Sequence, residues 1–188
     1  MKVKLDYNSP VILTFTLLAA VVFFVDAALP GDQMGLFTVG GSMNASSPVD
    51  WFRLGSHILG HASAAHLFGN FTLILLIGPI IEEKYGSGRL LAMILATAFV
   101  TGALNVMLFS TGLLGASGIV FMLILLSSIT NVRNGTIPLT FVLVVLLYVG
   151  REVVAIFAED HVSQFAHLLG GACGMAFGFG LERLGRRR

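Results

Sequence analysis

The chain has 188 residues, of which 56% are hydrophobic and only 11% are charged, and its mean hydropathy is +0.90. Soluble domains carry roughly a quarter charged residues, so this composition excludes an ordinary soluble protein and predicts a chain embedded in a lipid bilayer. A net charge of +1 without a basic, aromatic-rich patch predicts no nucleic-acid partner, and the single cysteine, Cys173, excludes an internal disulfide.

Six apolar segments are separated by polar residues, and each is close to the ~20 residues that cross a bilayer. The segments cover residues 10–29, 66–82, 90–109, 113–129, 137–157 and 165–181. The first is too long for a cleaved signal peptide and is followed by further spans, so we predict that it is retained. We therefore expect an all-α, polytopic membrane protein in which residues 1–188 form one domain, a bundle of six transmembrane helices.

The positive charges are distributed unevenly over the predicted loops. Nine of the eleven Lys and Arg residues fall at the termini or in alternate loops, on one side of the six spans: Lys2, Lys4, Lys84, Arg89, Arg133, Arg183, Arg186, Arg187 and Arg188. By the positive-inside rule this side is the cytoplasm, so we expect a multi-pass protein of the plasma (inner) membrane with both termini cytoplasmic. The longest connection, residues 30–65, then lies outside. Its Trp51 and Phe52 are expected to anchor it partly in the membrane interface.

Four polar residues fall at similar depths in three of the predicted spans. Counting 1.5 Å per helical residue from the cytoplasmic bases places Ser117 and His167 each about 24 Å from the inner end. The same count gives about 27 Å for His66 and about 21 Å for Asn70. In a hydrocarbon core of about 30 Å these groups share one layer below the outer surface. Because ionisable groups at such depth normally face water, the pattern predicts a hydrated cavity open to the outside.

Ser117 lies between Gly115 and Gly118 at the start of a predicted helix. A serine in a membrane helix most often bonds within its own helix or to a neighbouring one. At a helix start, however, the first backbone N–H groups lack intrahelical partners and can stabilise an anion. A nucleophilic serine in this position would have part of an oxyanion hole supplied by its own backbone.

His167 is the only histidine well inside a predicted span. An isolated buried histidine is more often structural than catalytic, but a nucleophilic serine needs a base and imidazole has a suitable pKa. Gly170, Gly174 and Gly178 follow at intervals of four and form one helix face. Such a face lets two membrane helices approach closely, so it would bring His167 to Ser117.

His66 and Asn70 are four residues apart and share a helix face. Both side chains can donate hydrogen bonds to a developing oxyanion, although a polar helix end near the interface would have the same composition. His57 and His61 offer the alternative of a metal site together with His66. No carboxylate or cysteine joins these histidines and no H-E-x-x-H motif occurs, so we predict no metal.

Four motifs in this order resemble those of the rhomboid intramembrane serine proteases, over nearly the whole chain. The segment HLFGN is similar to the family's H-x-x-x-N, and GPIIEEKYG to its G-x-x-x-E-x-x-x-G. GASG is similar to its G-x-S-G, and AHLLGGACG to its A-H-x-x-G-x-x-x-G. One motif alone would be weak evidence, whereas four on the appropriate spans are specific.

The resemblance implies a Ser-His dyad in which Ser117 attacks the peptide bond and His167 acts as base and then as acid. It further implies an oxyanion hole from His66, Asn70 and the backbone of Ser117, and a Gly115 that lets substrate come close. No metal or cofactor is implied. The partners would be single-span membrane proteins in the lipid bilayer, cut near their outer membrane boundary with small residues preferred at the cleavage point.

The chain departs from the family pattern at two positions. Arg53 is separated from Trp51 by Phe52, where the family usually has adjacent Trp and Arg. Phe121 replaces the tyrosine that bacterial members often carry four residues after the serine, and we expect its ring to stack on the histidine nonetheless. Glu82 is predicted to be a structural hydrogen-bond acceptor near the cytoplasmic edge, too far from the serine layer to act as the base.

Two alternatives belong to other functional classes. A non-catalytic rhomboid-like protein would hold or escort membrane clients, but the presence of both Ser117 and His167 argues against it. A small transporter would also contain a hydrated layer. The spans show no two halves with matching interruptions, which argues against a transporter.

Overall fold

The computed structural model describes residues 4–129, 137–150 and 161–185, and these residues are predominantly helical. Within them the only strand-like pairing is an isolated antiparallel bridge between Val39 and Leu113. The α-helices are α1 (Pro10–Ala28), α2 (Pro48–Ser56), α3 (Ala64–Tyr85), α4 (Ser87–Leu108), α5 (Ser117–Ile129), α6 (Leu139–Val144) and α7 (His161–Gly185). Short 3₁₀ turns lie at Met34–Phe37 and His57–Leu59, and α6 continues as a π-helix over Val145–Val149.

Three helices, α1, α3 and α4, are long and apolar enough to cross a membrane, as predicted for residues 10–29, 66–82 and 90–109. The helix α5 is apolar but shorter. The predicted fifth span, residues 137–157, is helical as far as residue 150, and residues 151–160 lie outside the described part of the chain. Among the charges used to orient the protein, Lys2, Arg133 and residues 186–188 also lie outside it.

The helix α5 forms the centre of the bundle. Every residue from Gly118 to Leu126 is buried, and so is Ile129. A helix that is hydrophobic on all sides needs neighbours on all sides, and α3, α4, α6 and α7 pack around it. The predicted range of 113–129 was wrong at its beginning, because residues 113–116 are not helical and the helix begins only at Ser117.

The connection over residues 30–65 contains α2 and both 3₁₀ turns rather than an irregular linker. Ser47 caps α2 by accepting a hydrogen bond from the Asp50 backbone N–H, and Pro48 occupies the first turn, where its missing N–H costs nothing. Trp51 and Phe52 on α2 are each more than half exposed. They are therefore available for the interfacial contact expected of them, which stays a prediction.

Glu82 is buried near the end of α3 and holds the beginning of α1. Its two carboxylate oxygens accept hydrogen bonds from the backbone N–H groups of Val11 and Ile12, each at 3.0 Å. The Ser87 hydroxyl at the start of α4 donates a third at 2.7 Å. A negative charge at a helix N-terminus is favourable and satisfies donors that have no intrahelical partner. Glu82 is thus a hydrogen-bond acceptor that links three helices.

Replacing this carboxylate should weaken the bundle. We expect Glu82→Gln to lower the free energy of unfolding by about 1–3 kcal/mol, because the amide NH₂ cannot accept the hydrogen bond that one carboxylate oxygen now receives. The measurement is unfolding of the purified protein in mixed micelles. Glu83→Gln, at the exposed neighbouring position, is the matched control. Equal effects of the two substitutions would contradict the role of Glu82.

Candidate active site

The segment that leads into α5 is fixed by backbone hydrogen bonds to the long connection. Val39 and Leu113 exchange two such bonds, at 2.9 and 3.0 Å, and the Gly115 N–H donates to the His57 carbonyl at 2.9 Å. Gly115 has φ +123°, a conformation that residues with a Cβ rarely adopt. This geometry turns the chain so that α5 starts at Ser117, which is half-buried between the buried residues Ala116 and Gly118.

The predicted base, His167, lies beside the first turns of α5. Its imidazole stacks on the Phe121 ring, with centroids 4.5 Å apart and planes only 6° apart. Phe121 is four residues after Ser117, so the two side chains lie on the same face of α5, one turn apart. The stacking expected from the phenylalanine is therefore present, and it holds the imidazole on the side of α5 where Ser117 begins the helix.

The helices α5 and α7 touch through their backbones. A Cβ built on Gly170 would overlap the carbonyl oxygen of Gly118, and one built on Gly174 would overlap that of Met122. A Cβ on Gly118 would in turn lie 3.3 Å from the Ala166 carbonyl oxygen. The glycine face predicted on α7 thus packs against the Ser117 helix, as the spacing of four indicated.

His66 on α3 lies next to Gly115, just before the start of α5. It lies in the first turn of α3, where Ser63 caps the helix by accepting a hydrogen bond from the His66 backbone N–H at 3.2 Å. A Cβ on Gly115 would lie 2.6 Å from His66 Cε1 and 2.8 Å from Nε2. The absence of a side chain at Gly115 therefore lets the His66 imidazole lie against this part of the backbone, and the approach of a substrate at Gly115 stays a prediction. His66 and His167 are close enough to interact electrostatically.

Asn70, one turn further along α3, is buried and directed at a residue that the sequence analysis did not place in the site. Its Nδ2 lies 3.1 Å from Nε2 of His61, and the His61 ring packs edge-on against that of His66 with centroids 5.0 Å apart. The spacing of His57, His61 and His66 had suggested only a metal site. No group of three or more metal-binding side chains occurs within the described ranges.

The long connection contains two buried histidines, His57 and His61, each with an exposed fraction of 1%. His57 Nδ1 lies 3.3 Å from the Arg53 carbonyl oxygen and its Nε2 lies 3.3 Å from the Thr101 hydroxyl. Burial lowers the pKa of His57, and likewise that of His61, to about 4. Both imidazoles are therefore neutral at physiological pH and belong to the wall that supports α3 and the segment before α5.

Arg53 makes its side-chain contacts within the long connection. Its Nε donates to the Gly35 carbonyl at 2.8 Å, and its guanidinium pairs with Asp50 at 2.9 Å. The Asn44 backbone N–H donates to the other Asp50 oxygen at 2.9 Å, and this bond together with Arg53 lowers the pKa of the carboxyl. Arg53 is thus structural, although Phe52 separates it from Trp51.

The described residues consequently bring one histidine from α3, the start of α5 and one histidine from α7 to a common point. The same three regions carry the HLFGN, GASG and AHLLGGACG motifs. Comparison with known protein families gives a match to the model of the rhomboid domain over residues 48–184, which is well over half of the chain. The matched range begins at α2 and contains every residue of the point where α3, α5 and α7 meet. The protein is a membrane protein of the rhomboid family.

Proposed function

We propose that this protein is an intramembrane serine endopeptidase with Ser117 as the nucleophile and His167 as the general base. The observation that carries the proposal is the placement of His167. Stacking on Phe121 and backbone contact between Gly118 and Gly170 hold this imidazole beside the first turns of the helix that Ser117 begins. A hydroxyl next to a rigidly held imidazole is the minimal arrangement for acyl transfer.

The reaction would proceed in two acyl-transfer steps. The Ser117 Oγ attacks the scissile carbonyl carbon while His167 takes the hydroxyl proton, and a tetrahedral intermediate forms. As the C–N bond breaks, His167 returns the proton to the leaving amine, which leaves an acyl-enzyme. A water molecule, deprotonated by His167, then attacks the ester and releases the second product.

Three groups of donors favour the negative oxygen of the intermediate. The first backbone N–H groups of α5 lie next to the nucleophile and have no intrahelical acceptor. His66 stands over Gly115, two residues before Ser117, and Asn70 lies one turn further along the same helix. Preorganised donors around a partly buried serine stabilise charge that develops only in the transition state.

The finer architecture belongs to the same proposal. Three membrane-length helices and the family membership support a six-span bundle, in which the regions of α5, α6 and α7 supply the remaining spans. The positive-inside pattern supports cytoplasmic termini and a plasma (inner) membrane location. The substrates would be membrane proteins with a transmembrane segment, cut near the outer boundary, and the chemistry would need neither metal nor cofactor.

Labelling with a fluorophosphonate probe tests the assignment of the nucleophile. We expect the purified wild-type protein to bind one probe molecule per chain, through a phosphorus–oxygen bond to Ser117. Peptide mass spectrometry should locate the added mass on Ser117. Ser117→Ala and His167→Ala should both lose the label, because one removes the oxygen and the other the base that activates it. A folded wild type that neither takes the label nor cleaves a single-span substrate would instead favour the non-catalytic client-binding protein.

A further inference from the structure

His61 is a buried histidine that the proposed reaction does not use. It lies between the 3₁₀ turn at His57–Leu59 and the start of α3, and its ring is only 1% exposed. The ring contacts His66 edge-on at 5.0 Å and Phe71 edge-on at 6.0 Å. It is therefore held between two side chains of α3, one of them a predicted oxyanion donor.

The two ring nitrogens of His61 have different partners. Nδ1 lies 3.2 Å from the Leu59 carbonyl oxygen, which can only accept a hydrogen bond, so Nδ1 carries the proton. The buried ring is neutral at physiological pH, because its pKa is lowered to about 4. A neutral imidazole has a single N–H, so Nε2 must present a lone pair.

That lone pair decides the orientation of the Asn70 side chain. Nε2 lies 3.1 Å from Asn70 Nδ2, and a lone pair there accepts a hydrogen bond from the amide NH₂ but repels the amide oxygen. The NH₂ group has two N–H bonds, of which His61 takes one. The opposite orientation of the amide would place the carbonyl oxygen against the lone pair and remove the donor.

We propose that His61 is a positioning residue that orients the Asn70 amide, so that the second N–H of Asn70 remains for the oxyanion formed during peptide hydrolysis. The inference rests on the proposed function, and it concerns a residue that touches neither the substrate nor the reacting atoms. Two hydrogen bonds with defined donors thus connect the long connection to the site: His61 donates to the Leu59 carbonyl and accepts from Asn70.

A double-mutant cycle on substrate turnover tests this role. We expect His61→Leu to lower kcat by roughly 10-fold with little change in KM, since only the transition-state donor is misoriented. In an Asn70→Ala background the same substitution should lower kcat no further, because the group through which it acts is gone. His57→Leu, at an equally buried histidine that bonds Thr101 instead, is the matched control and should combine additively with Asn70→Ala.

The conservative variant His61→Gln distinguishes a loss of positioning from a folding defect. In His61→Gln the side-chain oxygen can still accept the Asn70 N–H, so kcat should stay within about 3-fold of the wild type. A His61→Gln variant that keeps its melting temperature but loses as much kcat as Asn70→Ala would overturn the proposal. Additive losses for His61→Leu and Asn70→Ala would do the same.

The outcomes also separate this inference from the proposed function. Absence of Ser117-dependent cleavage in the wild type would remove both the protease assignment and the positioning role. Cleavage that depends on Ser117, together with additive effects in the cycle, would leave the protease assignment intact and remove only the role of His61.

Discussion

Ser117→Ala should reduce the cleavage of a single-span membrane substrate by a factor of at least about 10⁴ in kcat, to the level of the background reaction. The substitution removes the oxygen that is proposed to form the acyl-enzyme, whereas the backbone N–H groups at the start of α5 remain in place. Reconstituted protein with a fluorescently tagged substrate provides the measurement, and the melting temperature should stay close to that of the wild type.

Ser128 provides the matched control on the same helix. Its hydroxyl donates to the Ile124 carbonyl oxygen at 2.9 Å, which is the usual intrahelical bond of a serine in an apolar helix. Ser128→Ala should therefore leave turnover unchanged within about 2-fold. If Ser117→Ala retained full activity, or if both serine variants lost it together, Ser117 would not be the nucleophile.

Gly170→Ala should destabilise the protein strongly, although it adds only one methyl group. The new Cβ would overlap the Gly118 carbonyl oxygen, which is backbone and cannot change rotamer, so α7 has to move away from α5. Overpacking typically costs about 1–3 kcal/mol, and we expect the upper end of this range because no flexible side chain can give way. We expect a lower free energy of unfolding and a loss of turnover together, because the same displacement separates His167 from Ser117.

Gly180 on the same helix separates the effect of the contact from that of helix propensity. A Cβ at Gly180 meets nothing within 4 Å, so Gly180→Ala should be neutral or stabilise α7 by up to about 1 kcal/mol. Both variants are compared by unfolding in mixed micelles and by turnover. An unchanged stability and activity in Gly170→Ala would contradict the backbone contact between α5 and α7.

The features that the sequence predicted well are those set by local composition. The positions of α1, α3 and α4 follow from apolar length, with bounds that differ by up to about three residues. The contact of α7 with α5 follows from glycines at intervals of four. The start of α5 was placed four residues early, because Leu113 and Leu114 are as apolar as the helix itself. Leu113 instead pairs with Val39, some 70 residues away, which no local pattern reveals.

The residues of the proposed site were reached from motif spacing, whereas their supporting contacts were not. The motifs nominate Ser117, His167, His66 and Asn70, and their roles stay predictions. The interaction of Asn70 with His61 depends on how the 3₁₀ turn at His57–Leu59 folds back on α3, and histidine spacing alone suggested only a metal. The contact between Gly115 and His66 was likewise unpredictable, because the imidazole comes from another helix.

The backbone contact between α5 and α7 also limits how a substrate can enter. The two members of the proposed dyad stand on the two helices that this contact joins, so parting α5 from α7 to admit a peptide would dismantle the catalytic pair. If the chain is a protease, other elements would have to admit the substrate while the glycine contact stays closed. The helix α6 packs on α5, and Leu139 at its start and Leu146 in its π-helical continuation are mostly exposed. Substrate entry and peptide hydrolysis would then depend on different helices. A slow entry step would limit turnover without changing the rate of the chemical step.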